Sequence, residues 1–262
     1  SQSKPGEFSL QFTDLSIPVA GIPIEVTRNY SSLDSKFDGD FGYGWSLGLQ
    51  DAEIVEAAPD GRNLDFNDFF GGNSLTEGTR ITLTNANGKR VGFTFTPEVF
   101  APGAGIFLGP DYYVWTPKFT PDPGVNDTLE VPYTPIMRLP DGSFGLYFLG
   151  FTYNPNDYIL TTKNGTKYNY NQYSGLQTVV DRNGNTLTFA DDGIISSTGL
   201  GIEFVRDSQG RITEIIDPEE NSIIYTYNPE TGDLIRVEDR NENITTLKYE
   251  SDTPHYLTEI ID

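Results

Sequence analysis

The sequence predicts an all-β protein built of antiparallel hairpins, and three observations predict it. Aromatic residues make up 13% of the 262 residues, with 15 Tyr and 17 Phe, types that suit pleated, half-buried surfaces. Twenty-seven Gly and 17 Pro punctuate the whole chain, as many short strands and turns require. One short phrase recurs through the C-terminal third at a spacing close to 22 residues.

The phrase is Leu176-Gln-Thr-Val-Val-Asp181, then Ile212-Thr-Glu-Ile-Ile-Asp217, Leu234-Ile-Arg-Val-Glu-Asp239 and Leu257-Thr-Glu-Ile-Ile-Asp262. The closing aspartates lie 36 (181 to 217), 22 (217 to 239) and 23 (239 to 262) residues apart, and a degenerate copy at Ile194-Ile195 fills the longer gap. A turn precedes each phrase: Ser174-Gly175, Gln209-Gly210 or Thr231-Gly232. The internal copies lead into a second turn and a second run, such as Ser222-Ile-Ile-Tyr-Thr-Tyr227 or Ile244-Thr-Thr-Leu-Lys-Tyr249. Alternation in these runs predicts strands with one buried face, joined by two-residue turns in which Asn-Gly and Asp-Gly supply positive φ. A lone hairpin cannot bury its apolar side, so the copies are expected to stack into a long curved sheet over residues 166–262.

Residues 1–165 lack the period but still read as an irregular, Pro/Gly-rich β region. Ile22-Pro-Ile-Glu-Val-Thr-Arg28 alternates. Arg80-Ile-Thr-Leu-Thr84 and Arg90-Val-Gly-Phe-Thr-Phe-Thr96 flank Asn85-Ala-Asn-Gly-Lys89, a hairpin signal. Gly145-Leu-Tyr-Phe-Leu-Gly150 and Thr166-Lys-Tyr-Asn-Tyr170 continue the pattern. Eight prolines between 97 and 135 predict an insertion or long loop without a regular ladder, ordered in part by Tyr112, Tyr113 and Trp115. The best helix candidate, residues 46–57, is weakened by Gly48.

Composition narrows the function classes. The net charge of −21 offers no basic stripe for nucleic acid and disfavours anionic membranes. No run approaches the roughly 20 apolar residues of a membrane span, so no membrane insertion is expected. The chain has no Cys, which removes disulfides, thiol catalysis and Cys-ligated metals. Ser1 to Gly6 carry no apolar signal-peptide core, and the chain stops within a repeat phrase, so an excised fragment is expected.

The repeat phrases resemble Rhs/YD repeats, most closely Tyr227-Asn-Pro-Glu-Thr-Gly-Asp-Leu-Ile-Arg-Val-Glu-Asp239 and Asp207-Ser-Gln-Gly-Arg-Ile-Thr-Glu-Ile-Ile-Asp217. Phe12-Thr-Asp-Leu-Ser-Ile-Pro18, Gly21-Ile-Pro-Ile-Glu-Val-Thr-Arg-Asn-Tyr-Ser-Ser32 and Phe41-Gly-Tyr-Gly-Trp-Ser-Leu47 resemble the opening of Rhs-family shells. On that resemblance, Arg28, Asn29, Tyr30, Gly42, Gly44, Trp45, Asp181, Asp217, Tyr227, Gly232 and Asp239 are the structural motif residues. The resemblance implies the start of a hollow hairpin-ribbon shell that encloses or presents a C-terminal toxin or effector. It also implies a secreted or cell-surface bacterial protein whose main partner is the rest of the parent shell. Family shells cleave themselves at an aspartyl site, and Asp217-Pro218 is superficially similar, but the Gly-centred turn and a second Asp-Pro-Gly element are missing. No catalytic residue carries over.

The remaining chemistry weighs toward bland roles. His255 is the only His, in a turn at Asp252-Thr-Pro-His255, and is expected to be structural or solvent-exposed. Asp40-Phe-Gly42 lacks every other kinase element, and its glycines more simply permit a bend that seats Tyr43 and Trp45. Asp181-Arg-Asn-Gly-Asn185 and Asp239-Arg-Asn-Glu-Asn243 have oxygen donors at spacing two, which suits calcium, but they lack a closing Glu and suit turn capping better. No cofactor is expected. Tyr112, Tyr113 and Trp115 are the candidates for contact with a glycan. Sequons at Asn29, Asn126, Asn164 and Asn243 matter only in a eukaryotic secretory setting. A non-enzymatic shell module is the leading expectation. An adhesion or carbohydrate-binding module, and a secreted glycosidase using paired carboxylates, stay open beside it.

Overall fold

The computed structural model describes residues 8–48, 54–65, 72–84 and 89–262. The fold is all-β and antiparallel. Its one α-helical turn, Gly105–Leu108, and one 3-10 turn, Pro110–Tyr112, are the only helical segments among the described residues. The chain forms two compact units: residues 1–51 with 183–262, and residues 52–182.

In the first unit, eight strands follow one another, each antiparallel to the next: Thr186–Ala190, Gly193–Ser196, Gly201–Arg206, Ile212–Ile216, Ser222–Tyr227, Leu234–Glu238, Ile244–Tyr249 and Leu257–Ile261. The last five follow the repeat phrases and their partner runs. The unit also holds a three-stranded sheet, with Ile24–Ser31 between Ser9–Ile17 and Trp45–Leu47, and a two-stranded pair, Asp38–Gly39 with Gly42–Tyr43. The second unit holds two four-stranded sheets and a ladder of Thr128–Glu130, Asp157–Thr161, Lys167–Asn171 and Gly175–Val180.

Two local features depart from the sequence expectation. First, the repeat phrase does not alternate simply. In Ile212–Ile216 and Leu234–Glu238 the buried residues are the first and fourth, Ile212 with Ile215 and Leu234 with Val237. The reason is a bulge: Thr226 opposes Arg236 while Tyr227 opposes Leu234, so Ile235 has no opposite number. The same slip occurs opposite Tyr170, Arg206 and Tyr249. An inserted residue reverses the in/out phase and turns a period of two into a spacing of three.

Second, the recurring turn is longer than two residues. At 58–62, 139–143, 162–166, 196–200, 207–211, 217–221 and 239–243 the first N–H donates to the fifth carbonyl and the fourth N–H to the first carbonyl. This is a tight turn followed by one left-handed residue, a common three-residue hairpin loop. That residue is Gly in five of the seven, but Glu220 (φ 66°) and Glu242 (φ 64°) in the other two. A Cβ in this region costs about 1–2 kcal/mol. Glu220→Gly is therefore expected to stabilise the chain by about 0.5–1 kcal/mol, after the added freedom of the unfolded chain is subtracted. A higher urea midpoint at unchanged m is the readout.

The Pro-rich stretch also differs from a plain loop. It contains the short strands Glu98–Ala101, Val114–Thr116, Phe119–Pro121 and Thr128–Glu130. Prolines are accommodated because they sit at strand ends or between strands, and Pro121 ends an edge strand paired to Phe93. Arg80–Thr84 and Arg90–Phe95 pair as expected, with Thr84 opposite Arg90, while the turn at 85–88 lies outside the described residues. So do Ser1 to Gly6 and the middle of the helix candidate, whose described flanks, Trp45–Leu47 and Ile54–Ala57, are strands.

The second unit buries a carboxylate. Glu56 is 4% exposed and accepts hydrogen bonds from Tyr158 Oη (2.5 Å), Asn154 Nδ2 (2.5 Å) and Gln172 Nε2 (3.0 Å). Burial is the leading cause and lifts its pKa above the ordinary 4.5, although these bonds pull the other way. An acid with a raised folded pKa binds its proton more tightly when folded. Its contribution to stability is thus complete below the unfolded value and is lost as pH rises through the higher folded one. Wild-type stability is expected to decline from about pH 4.5 upward on this account, with a smaller slope in Glu56→Gln, as urea titrations across pH 4–8 will show.

Candidate functional site

The most organised set of interactions in the first unit lies where the opening segment, residues 8–48, packs on the repeat strands. Strand Ile24–Ser31 alternates cleanly, and Ile24, Val26, Arg28 and Tyr30 are its buried residues. Arg28, only 3% exposed, therefore sits on the apolar phase of a strand. Its partner comes from a bulge. Thr13 opposes Thr27 and Leu15 opposes Val26, which leaves Asp14 as the extra residue and turns it inward.

Asp14 receives Arg28 Nε at 2.8 Å and Nη2 at 3.1 Å, a bidentate pair with side chains 4% and 8% exposed. Tyr225, from the repeats, donates its hydroxyl to Asp14 Oδ2 at 2.7 Å. Burial opposes the Arg28 charge, but the hydrogen bond and attraction from Asp14 prevail and raise its pKa. Burial, then the Asp14 charge, holds the Tyr225 phenol pKa far above its usual range. The cluster thus gathers a held guanidinium and a neutral phenol around the Asp14 carboxyl. Arg28 also lies over the rings of Trp45 (4.5 Å) and Phe12 (5.1 Å).

Around this pair the opening segment makes main-chain contacts with the repeats. Tyr30 donates its hydroxyl to the His255 carbonyl (2.9 Å) and accepts from the Leu257 N–H (2.9 Å). Trp45 Nε1 donates to Tyr249 Oη (2.9 Å), which donates to the Leu234 carbonyl (2.7 Å). The Ile212 N–H donates to the Asp40 carbonyl (2.7 Å), Tyr227 donates its hydroxyl to the Ile212 carbonyl (2.5 Å), and Arg206 pairs with Asp40. These bonds occupy groups next to the bulges, where a regular ladder is interrupted.

Two glycines permit the close approach. A Cβ on Gly42 (φ 80°) would lie 2.6 Å from the Gly232 carbonyl, and one on Gly44 (φ 77°) would lie 2.7 Å from the Tyr30 ring. Both therefore need an absent side chain as well as a left-handed backbone.

Seven of the motif residues meet here: Arg28, Tyr30, Gly42, Gly44, Trp45, Tyr227 and Gly232. Asn29 faces the other side of its strand, opposite Ser46, with its buried Oδ1 unpartnered. Asp217 and Asp239 serve the turns instead. Each accepts two backbone N–H groups through Oδ1, those of Glu219 and Asn221 for Asp217 and those of Asn241 and Asn243 for Asp239. Burial acts to raise the Asp217 pKa, but Arg240 at 2.9 Å and the turn amides prevail and lower it. The Asn243 side chain is the main cause that lowers Asp239. Asp181 follows strand Gly175–Val180 in the second unit. No group of three or more Asp, Glu or His suited to a metal ion occurs among the described residues.

Sequence reasoning missed Asp14, Asp40, Tyr225 and Tyr249. The available signals were Arg28 on an apolar phase, which demands a partner, and Asp14 at a break in alternation. His255 is held in place: its Nδ1 is 2.7 Å from Asp233, and its ring stacks on Tyr43 at 3.7 Å. The proposed glycan contacts lie in the second unit, all half-buried. Trp115 packs edge-on to Phe144 (5.4 Å) with its Nε1 buried and unpartnered, Tyr112 lies 6.2 Å from Phe148, and Tyr113 covers Gly105.

The class these features define is an all-β hairpin-ladder protein whose N-terminal segment packs against its own repeats. A family model described as a domain of unknown function, DUF6531, matches residues 4–66, the stretch that contains this opening segment. No curated protein matches the chain.

Proposed function

We propose that this chain is a structural, non-catalytic module. It is the beginning of an Rhs/YD-type β shell in a large secreted or surface bacterial protein that encloses or presents a C-terminal effector. The observation that carries the reading is the packing of the opening segment on the repeat strands through Arg28, Asp14, Tyr225, Trp45 and Tyr249. Its buried ion pair and bonds to repeat carbonyls suit an inert closure rather than a reactive cleft: Asp14, Tyr30, Trp45, Tyr225 and Tyr249 each bond a fixed neighbour. The partner is the remainder of the parent shell, which continues the hairpin array.

The test is limited proteolysis of the parent protein. The region after the repeats is expected to resist protease in the native protein and to become sensitive in Trp45→Ala. A C-terminal region cleaved as fast in the native protein as in isolation rejects enclosure. Glycan-array binding abolished by Trp115→Ala would replace this reading with an adhesion module, and turnover of a polysaccharide panel would replace it with a hydrolase.

A further inference from the structure

The second unit presents two apolar tips. In the helical turn Gly105–Leu108 no residue is buried, and Ile106, Phe107 and Leu108 are 68%, 88% and 59% exposed. In the loop after strand Phe144–Leu146, Phe148, Leu149 and Phe151 are 59%, 63% and 66% exposed. Six large apolar side chains in two short loops exceed the scattered exposure normal for a soluble surface.

The tips are built rather than slack. Tyr147 Oη accepts from the Ala104 N–H (3.0 Å) and donates to the Tyr112 carbonyl (2.9 Å), which ties one loop to the other. A Cβ on Gly103 would lie 2.4 Å from that hydroxyl, so the approach depends on glycine. Phe148 is held at φ 61°, a region that a bulky residue rarely adopts. Its ring is 4.6 Å from Tyr147 and 6.2 Å from Tyr112. Strain that turns an aromatic outward marks a site of use.

Two features identify the occupant. Residues 99–110 and 142–156 contain no Asp, Glu, Lys, Arg or His, in a chain of net charge −21. Ile106, Phe107 and Leu108 are consecutive, and at about 100° per residue they spread over roughly 200° of the helical turn. A protein surface meets one face of such a turn, whereas a fluid apolar medium meets all of it. We propose that these tips seat in the hydrocarbon boundary of an electrically neutral lipid bilayer, with the half-buried Tyr112 and Tyr113, next in sequence, at headgroup level. This is seating by side chains and not a span, for no described helix is long and apolar enough to cross. It is independent of the shell reading.

The experiment is flotation of the 262-residue chain with phosphatidylcholine vesicles. The chain is expected to float, Phe107→Ser/Leu149→Ser to partition at least about tenfold more weakly, and phosphatidylserine in half of the lipid to weaken wild-type binding. Both positions are exposed, and an unchanged melting curve verifies the double variant's fold. In Phe107→Trp, brominated lipid is expected to quench more fluorescence than in wild type. Wild type left at the bottom of the gradient, or equal quenching in the two proteins, overturns the proposal. So does a concentration-dependent dimer, without flotation, that the double variant dissolves.

Discussion

Arg28→Ala is expected to destabilise the chain by about 3–5 kcal/mol, the range for removing one partner of a buried ion pair. The substitution leaves Asp14, 8% exposed in its side chain, with the Tyr225 hydroxyl as its named remaining partner. It also strips the cation from the faces of Trp45 and Phe12. Urea unfolding gives the magnitude. The double variant Arg28→Met/Asp14→Leu separates the cause: it removes both charges and refills the volume, so it is expected to recover much of the loss. A double variant as unstable as the single would mean that shape, not uncompensated charge, sets the cost.

Trp45→Ala is expected to cost a similar 3–5 kcal/mol, chiefly through the cavity it opens. Trp45 is 1% exposed and packs against Tyr30 (5.2 Å between ring centres), Phe12 (6.0 Å) and Arg28. It also leaves Tyr249 without its donor. Tyr249→Phe isolates that component, because it keeps the ring and removes the hydroxyl that joins Trp45 to the Leu234 carbonyl. That variant is expected to lose about 1–3 kcal/mol. Equal losses in the two variants would show that the hydrogen-bond chain, rather than packing, fixes the segment.

Both effects fall on the same contact, and this ties stability to the proposed role. A closure made of a buried charge pair and a large aromatic is costly to open. That suits a wall that must stay shut and does not suit a cleft that must admit a substrate.

The sequence by itself determined the class and the repeat. Tyr- and Phe-rich runs punctuated by Gly and Pro made strands, and the phrases ending at Asp217, Asp239 and Asp262, with their partner runs, placed the last five strands, because turn chemistry and side-chain period are local properties. Arg28, Tyr30, Gly42, Gly44 and Trp45 were legible as an opening motif, but not what they touch. The tertiary structure alone decided that Asp14 turns inward, since a bulge is defined by the opposite strand. It alone spaced Ile212 from Ile215 and Leu234 from Val237 as buried pairs, for the same reason. It alone joined Tyr225 to Asp14 and Tyr30 to His255, contacts that span 211 and 225 residues of sequence. Such pairings depend on how distant strands pack, and no local pattern of residues encodes which distant group will be met.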